Sequence, residues 1–479
     1  MTNLSDLFPA GAGKQVSFVA DGTLTNGQVI ALKTDGTVEA VTNGGNTAGS
    51  DAQFEGASVY GVVSAYDSTS GKIVVVYSDV GNSFHGTVAI GTVSGTSISF
   101  GTPVVFYTDT TDWPAVSYDV NADRVVISWQ AGGAANYGYA IVGTVSGTSI
   151  SFGTGVEFNA ASTQFNVISY DANAQKVLLT YHGTSSYGYS IVGTVSGTSI
   201  SFGTAVVFNS AYTSNPASVY DSNAQKVVIG YGNSGSSGAG TAIVATISGT
   251  SVSYGTPTEF QPGASNAYIS LAFDSVNNKI AVIYEDTAST NYGHGIVGTV
   301  SGTSISFGAS VVFSAATTTF ISATYNVAAA SILIFFRDTP LNGTIVSASI
   351  SGTAISFGTE TIIVSGSTEY NSTAYDVTNG KVVVTYKNST SSTGVGNVIT
   401  SIASNMASII GLTDAAISDT ASGNITVKGG IATKGLTSLT PGTDYYVQGD
   451  GTISAVTTSP AVKLGRALSA TSIDLEYQS

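Results

Sequence analysis

The 479-residue chain has no cysteine, which excludes disulfides and thiolate metal sites. Charge is scarce as well: only 9% of residues are Asp, Glu, Lys or Arg. The 14 Lys and Arg are outnumbered by 29 Asp and Glu, giving a formal charge of -15. A surface so poor in clustered base is unsuited to nucleic acid. The longest apolar stretch, near Ile332 to Phe336, is far too short to span a bilayer, so no membrane insertion is expected. The opening residues, MTNLSDLFPAGAGKQ, lack a basic segment followed by an apolar run, so no secretory signal is read there. A chain of this kind working outside a cell is expected to leave by lysis or on a particle. His85, His182 and His294 occupy different places in the pattern and do not have metal-ligand spacing. No cofactor and no metal are implied.

What the chain has in abundance is Gly, Ser, Thr, Val and Tyr, with 57 glycines and 42% apolar residues. That is a β-rich composition with many tight turns, not a disordered one. The stretch GTVSGTSISFGT at Gly91 returns nearly unchanged from Gly143, Gly193 and Gly298, with looser copies from Ala245 and Ala348. The glycine after its serine falls at Gly95, Gly147, Gly197, Gly249, Gly302 and Gly352, in steps of 52, 50, 52, 53 and 50 residues. A fixed period of that size marks a repeat architecture.

A second signature is Tyr-Asp, four residues, a base, then an alternating apolar run. Its seven copies begin at Tyr66, Tyr118, Tyr170, Tyr220, Phe273, Tyr325 and Tyr375, and the sixth has Asn326 and Ser331 for the acid and the base. Each unit reads as four strands. In the second unit these are Ala115 to Tyr118, Val125 to Trp129, Tyr139 to Val145, and Ser149 onward to Phe158. Four antiparallel strands per roughly 50 residues is the blade of a β-propeller. The expected fold is all-β: a seven-bladed β-propeller over 46–402, inserted in a small split β-domain made of 1–45 and 403–479.

The seventh unit lacks the Ser-Gly-Thr-Ser-Ile-Ser-Phe strand. The tail of the fourth strand lies 12 residues before the next Tyr-Asp at Phe106, Phe158, Phe208 and Phe313, and the same distance before Tyr66 is Phe54. The spacing predicts that the strand around Phe54 completes the last unit beside Asn397 to Ile402, leaving no open edge. Thr42 to Ser50 reads as a Gly/Asn-rich linker. Gln15 to Val19, Gln28 to Leu32 and Thr37 to Val41 read as strands, the last two joined by an Asp35-Gly36 hairpin. Ala403 to Gly411 reads as either a short helix or a linker. Strands are expected at Ala415 to Ile417, Ile425 to Gly429, Tyr445 to Gln448 and Ala461 to Ala467. The turn at Asp450-Gly451 echoes the one at Asp35, which is why both flanks are read as one domain.

The run from Ile410 to Val456 (IGLTDAAISDTASGNITVKGGIATKGLTSLTPGTDYYVQGDGTISAV), followed by Val462 to Thr471, resembles the C-terminal module of tailed-bacteriophage virion proteins, especially those of cyanophage type. Phe18 to Val41 is similar to a segment that often accompanies it. The blade motif also resembles repeats of phage fibre and appendage proteins. The resemblance implies a virion-surface, extracellular structural or adhesive protein with no catalytic motif. It also implies other virion proteins as partners through the split domain, a host-surface glycan or protein as ligand, and a homo-oligomer.

Several constellations have plainer readings. The repeated Asp resembles a calcium or catalytic carboxylate, but an Asp before a short polar turn also caps backbone N–H groups. Glycoside hydrolysis needs a carboxylate pair, for which the non-repeated acids are Glu285, Asp286, Asp338 and Glu369. Sialidase chemistry wants clustered arginine, and the only arginines are Arg124, Arg337 and Arg466. Aromatics read as loop residues are Trp113, Tyr137, Tyr187, Tyr212, Tyr292 and Tyr370, the candidate ligand-binding set. Such rings suit sugar faces and protein surfaces, and packing of blade on blade accounts equally well for any one of them. The function expected is non-enzymatic display of the propeller for adhesion. The alternatives are a capsid-decorating or filament-forming structural protein without a ligand, and a polysaccharide-degrading enzyme.

Overall fold

The computed structural model describes residues 14–33, 35–41, 45–263, 266–287, 291–402, 408–448, 451–456 and 461–476. They are almost wholly β-strand, and they divide into two compact units, 46–401 and the pair 1–45 with 402–479.

In the larger unit every repeat begins with a leading strand that ends at the Tyr-Asp signature. These strands are Val59–Asp67, Val104–Asp119, Gln164–Asp171, Thr213–Asp221, Asn266–Asp274, Thr319–Asn326 and Thr361–Asp376. Two further strands follow antiparallel, for example Lys176–His182 and Gly188–Ser196, with a short outer pair such as Ser199–Phe202 and Val206–Asn209 on the third. The result is three five-stranded and two nine-stranded sheets, none closed on itself. The nine-stranded sheets arise because Val104–Asp119 and Thr361–Asp376 run unbroken from the outer edge of one repeat into the leading position of the next. Each leading strand packs on that of the next repeat, and Thr361–Asp376 packs back on Val59–Asp67.

The repeated motifs are the joints between units. Asp67 Oδ1 accepts from the backbone N–H of Thr69 and Ser70, both at 3.0 Å, and Asp119, Asp171, Asp221, Asp274 and Asp376 cap their turns in the same way. In the sixth repeat Asn326 keeps one such bond, from Ala329 at 3.1 Å. The turn tyrosine bonds to the turn of the preceding repeat: Tyr118 to Thr69 at 2.5 Å, Tyr220 to Asn173 at 3.2 Å, Tyr375 to Ala328 at 3.1 Å, and Tyr66 to Thr378 at 2.6 Å. The glycine of Phe-Gly explains itself by proximity. A Cβ on Gly101, Gly153, Gly203, Gly255 or Gly308 would stand 1.7–2.0 Å from the carbonyl oxygen of the Ser-Gly-Thr threonine in the following repeat.

The strand carrying Phe54, Ala52–Glu55, pairs with Thr393–Ile402 as the missing strand required. The stretch read as a linker is in part a strand. Gly45–Ala48 lies beside Thr393–Ile402 and stands where the other repeats have Ser-Ile-Ser-Phe. Its match to that motif is hidden because Asn46 fills the isoleucine slot, buried and bonded to Ser347 and Ser401. Gly49 then reproduces the joint, since a Cβ there would lie 1.8 Å from the Thr96 oxygen.

The smaller unit, read from both flanks as one domain, holds two sheets. Gln15–Val19, Ser422–Val427, Ile409–Thr413, Val29–Leu32 and Val38–Ala40 form the first, in that order. Strands after Ile431 form the second, and the two share a core in which Val29, Ala31 and Val41 meet Leu412, Val447, Leu464 and Ile473. Ile417 makes only an isolated bridge, to Leu24; of the stretch Ala403 to Gly411, residues 403–407 lie outside the described residues, Ser408 is in a 3-10 turn, and Ile409 to Gly411 open a strand. Asp450 lies outside the described residues.

Replacing Gly49 by Ala forces the backbone of the first and last repeats apart. A loss of about 1–3 kcal/mol is expected, measured by denaturant unfolding of the full chain. Unchanged stability would show that this joint does not carry the seam.

Candidate functional site

Every leading strand carries the same defect. In the first repeat Tyr60 pairs with Ser78 and Val63 with Val76, so Gly61 and Val62 together oppose the single residue Tyr77. The same two-against-one bulge recurs in all seven repeats. The residue opposite the bulge is always aromatic and buried: Tyr77, Trp129, Tyr181, Tyr231, Tyr284, Phe336 and Tyr386. That constant is structural. The bulge itself varies.

The first bulge residue has positive φ throughout: Gly61 at 61°, Trp113 at 49°, Phe165 at 53°, Asn215 at 44°, Tyr268 at 49°, Phe320 at 51° and Tyr370 at 53°. This left-handed backbone suits glycine, and a bulky residue there is strained by roughly 1–3 kcal/mol. Five aromatic rings are nevertheless held so, at one level of consecutive strands. They line a common cavity of about 280 Å³. Trp113 and Phe165 lie with ring centroids 4.2 Å apart, Tyr268 and Phe320 5.2 Å, Phe320 and Tyr370 5.4 Å, and Tyr370 and Tyr60 4.7 Å. The rings therefore form two arcs, broken at Asn215 and Gly61.

Bulges re-aim side chains, and they concentrate beside functional sites. Pro114 and Pro216 fit the second bulge position, where the ladder is interrupted and no N–H is needed. Asn166 and Asn371 occupy that same position in the third and seventh repeats. They line the cavity at 8% and 9% exposure, and neither carboxamide has a hydrogen-bond partner on either atom. Buried polar groups are normally satisfied, so two orphaned carboxamides in one cavity are a binding signal.

Charged groups stand behind the rings rather than in the cavity. Arg337 lies 4.6 Å from the Phe320 ring centroid, and Lys387 lies 6.0 Å from that of Tyr370. Glu369 lies between them, 3.7 Å from Arg337 and 3.1 Å from Lys387. Glu285 is buried, and loss of hydration pushes its carboxyl up to about 7. Burial likewise raises Asp112 and lowers His182, whose ring stacks behind Phe165 at 5.8 Å.

Of the six aromatics singled out in the sequence, Trp113 and Tyr370 enter this cavity, and in both cases from bulged strands rather than loops. The other four do not line it. Tyr137 and Tyr292 begin third strands, Tyr187 precedes one, and Tyr212 is exposed, its ring perpendicular to that of His182 with centroids 5.1 Å apart. Tyr60, Phe165, Tyr268 and Phe320 were missed, as were both asparagines. The available signal was disagreement: aligned on Tyr-Asp, the first bulge column holds Gly, Trp, Phe, Asn, Tyr, Phe and Tyr, where the turn and joint motifs stay constant. Three of the non-repeated acids are held in local contacts. Asp338 accepts from Asn342 and Thr344, Asp286 from Gln261, and Glu369 holds its two cations. Among the described residues no group of three His, Cys, Asp or Glu could hold a metal ion, and no helix is long and apolar enough to cross a membrane.

Between the unfolded carboxyl near 4.5 and the folded one near 7, the native state keeps a proton on Glu285 that the unfolded chain has released. Stability should therefore fall as pH rises from about 4.5 to about 7, and lose nothing more from this group above that. Glu285→Gln should flatten this part of the profile in denaturant titrations at stepped pH. An unchanged slope would remove Glu285 as its source.

No family of known proteins matches the chain, and no curated protein does. Among solved structures, the BP39L lectin from Burkholderia pseudomallei superposes with a TM-score of 0.50 at 12% identity, covering 73% of this chain and 100% of the lectin. The SapL1 lectin, solved in complex with alpha methyl fucoside, gives a TM-score of 0.38 at 12% identity over 60% of this chain and 91% of that one, too low to carry an argument. What the chain shares with the first is an all-β, propeller-type fold.

Proposed function

We propose that the seven repeats form a seven-bladed β-propeller and that this propeller is a non-enzymatic, glycan-binding adhesion module. The blade count is supported by the seven leading strands, each packed on the next and the last on the first, and by the repeated joint at Gly49. The observation that carries the binding reading is the cavity: strained aromatic faces around two partnerless carboxamides. Aromatic faces match the C–H faces of a pyranose, and carboxamides match its hydroxyls. The name of the propeller-type neighbour, a lectin, points the same way. A non-enzymatic role is supported by the engagement of Asp286, Asp338 and Glu369 in local contacts.

The setting proposed is the surface of a virion, outside the cell, as the flanking segments suggest by resemblance. There the split domain holds other virion proteins and the propeller faces the host. Homo-oligomeric display belongs to the same reading, because many weak sites on one particle give avidity that a single site lacks. Antibody labelling of particles against the full chain tests that setting, and labelling confined to a particle-free fraction would refute it.

The binding test is a glycan array and host-envelope polysaccharide probed with the full chain. Binding without released oligosaccharide is expected. Trp113→Ala and Tyr370→Ala should each weaken it tenfold or more, about 1.4 kcal/mol. Released oligosaccharide would make the protein an enzyme, and undiminished binding by both variants would place the site elsewhere.

A further inference from the structure

Resting on the glycan reading, we infer that the cavity accepts one uncharged sugar ring per chain, gripped between the carboxamides of Asn166 and Asn371. The repeats supply their own comparison. At the second bulge position the other five carry Val62, Pro114, Pro216, Ile269 and Ile321, so the scaffold by itself prefers an apolar residue or proline there. Two asparagines in place of such residues, both more than nine-tenths buried, make no side-chain hydrogen bond within the described protein. A carboxamide presents two donors and an acceptor side by side. Adjacent ring hydroxyls, each able to donate and accept, are complementary to it.

Position fixes the stoichiometry. Going from leading strand to leading strand, the third and seventh repeats are three steps apart one way and four the other. Their asparagines therefore approach from nearly opposite sides, and a ligand touching both leaves no room for a second. The cavity, about 280 Å³, lies at the lower edge of the range for ligand pockets, roughly 300–1,000 Å³. That suits one ring, not a folded oligosaccharide.

Charge selects among rings. No charged side chain lines the cavity among the described residues. Arg337 and Lys387 already face Glu369, Asp112 precedes Trp113 in its leading strand, and Glu285 lies in the strand beside Tyr268, none of them lining the cavity. A sugar carboxylate would be stripped of water with no cation to meet it. Uronic and sialic acids are thus disfavoured, and neutral hexoses or N-acetylhexosamines are favoured.

The experiment is calorimetric titration of the full chain with methyl glycosides of neutral hexoses, of N-acetylhexosamines, of glucuronic acid and of N-acetylneuraminic acid. At least one neutral glycoside should bind with a stoichiometry near one. Asn166→Ile and Asn371→Ile, which install the residue of the fifth and sixth repeats, should each lower affinity at least tenfold. They should leave the melting temperature of the free protein unchanged or raise it, because a partnerless buried amide is removed. Asn→Ala variants supply a second test should isoleucine misfold. A stoichiometry near seven, preference for an acidic glycoside, retained affinity, or lost affinity with a lowered melting temperature in both variant sets would each overturn this inference and leave glycan binding standing. No binding by any glycoside in this titration or on the array would overturn both.

Discussion

An inclined aromatic contact between neighbouring repeats carries the frame of the larger unit. Phe106 meets Trp129 of the next repeat at 5.1 Å, Phe158 meets Tyr181 at 5.3 Å, Phe208 meets Tyr231 at 5.1 Å, and Phe260 meets Tyr284 at 5.1 Å. Phe54 meets Tyr77 at 5.1 Å, so a residue from the N-terminal side does for the last repeat what its own chain does for the others. The glycine facing each phenylalanine lets the ring lie flat on the third strand. At Gly86, Gly138, Gly188, Gly293 and Gly394 an added Cβ would come within 2.2–2.5 Å of a phenylalanine ring atom. A repeat cannot bury such a ring alone, so stability comes from neighbours.

That contact also explains why a ligand site can vary without loss of the frame. The constant aromatic opposite each bulge is buried and faces the joint, whereas the bulge residues face the cavity. Five of the seven first bulge positions hold an aromatic residue in the left-handed region, and only Gly61 and Asn215 are of types that adopt it readily. Strain of that kind persists where surrounding structure over-determines the backbone. Here the turn caps at the other end of each leading strand and the tyrosine latches supply that restraint.

The architecture was legible because its causes repeat. Gly-Thr-Val-Ser-Gly-Thr, Phe-Gly and Tyr-Asp each answer to one joint, and the joint recurs. The seam was half legible: Phe54 kept the aromatic signal, while Asn46 replaced isoleucine with a polar residue and concealed a strand inside an apparent linker. The cavity was hardly legible at all. Trp113 and Tyr370 stood out as loop aromatics by composition, but Phe165, Tyr268 and Phe320 sit in strands and read as core. Positive φ leaves little trace in sequence when the residue is not glycine or asparagine. In the split domain, the Asp35 hairpin was clear. The division into two sheets was not, because strand alternation says which face is buried and nothing about which strand lies alongside.

The seam has a consequence for the order in which the chain is made. Asn397 Nδ2 donates to the Gly49 carbonyl at 3.0 Å and to Asp51 at 2.7 Å, partners 348 and 346 residues away. Most contacts in a repeat array are local and form as soon as the next unit emerges, but this one cannot. Residues 45–55 leave the ribosome ahead of all seven repeats and acquire their strand partner only with the last of them. Until then the nascent protein carries an unpaired strand at one end and an uncovered third strand at the other, the two edges on which an incomplete product would associate with its copies.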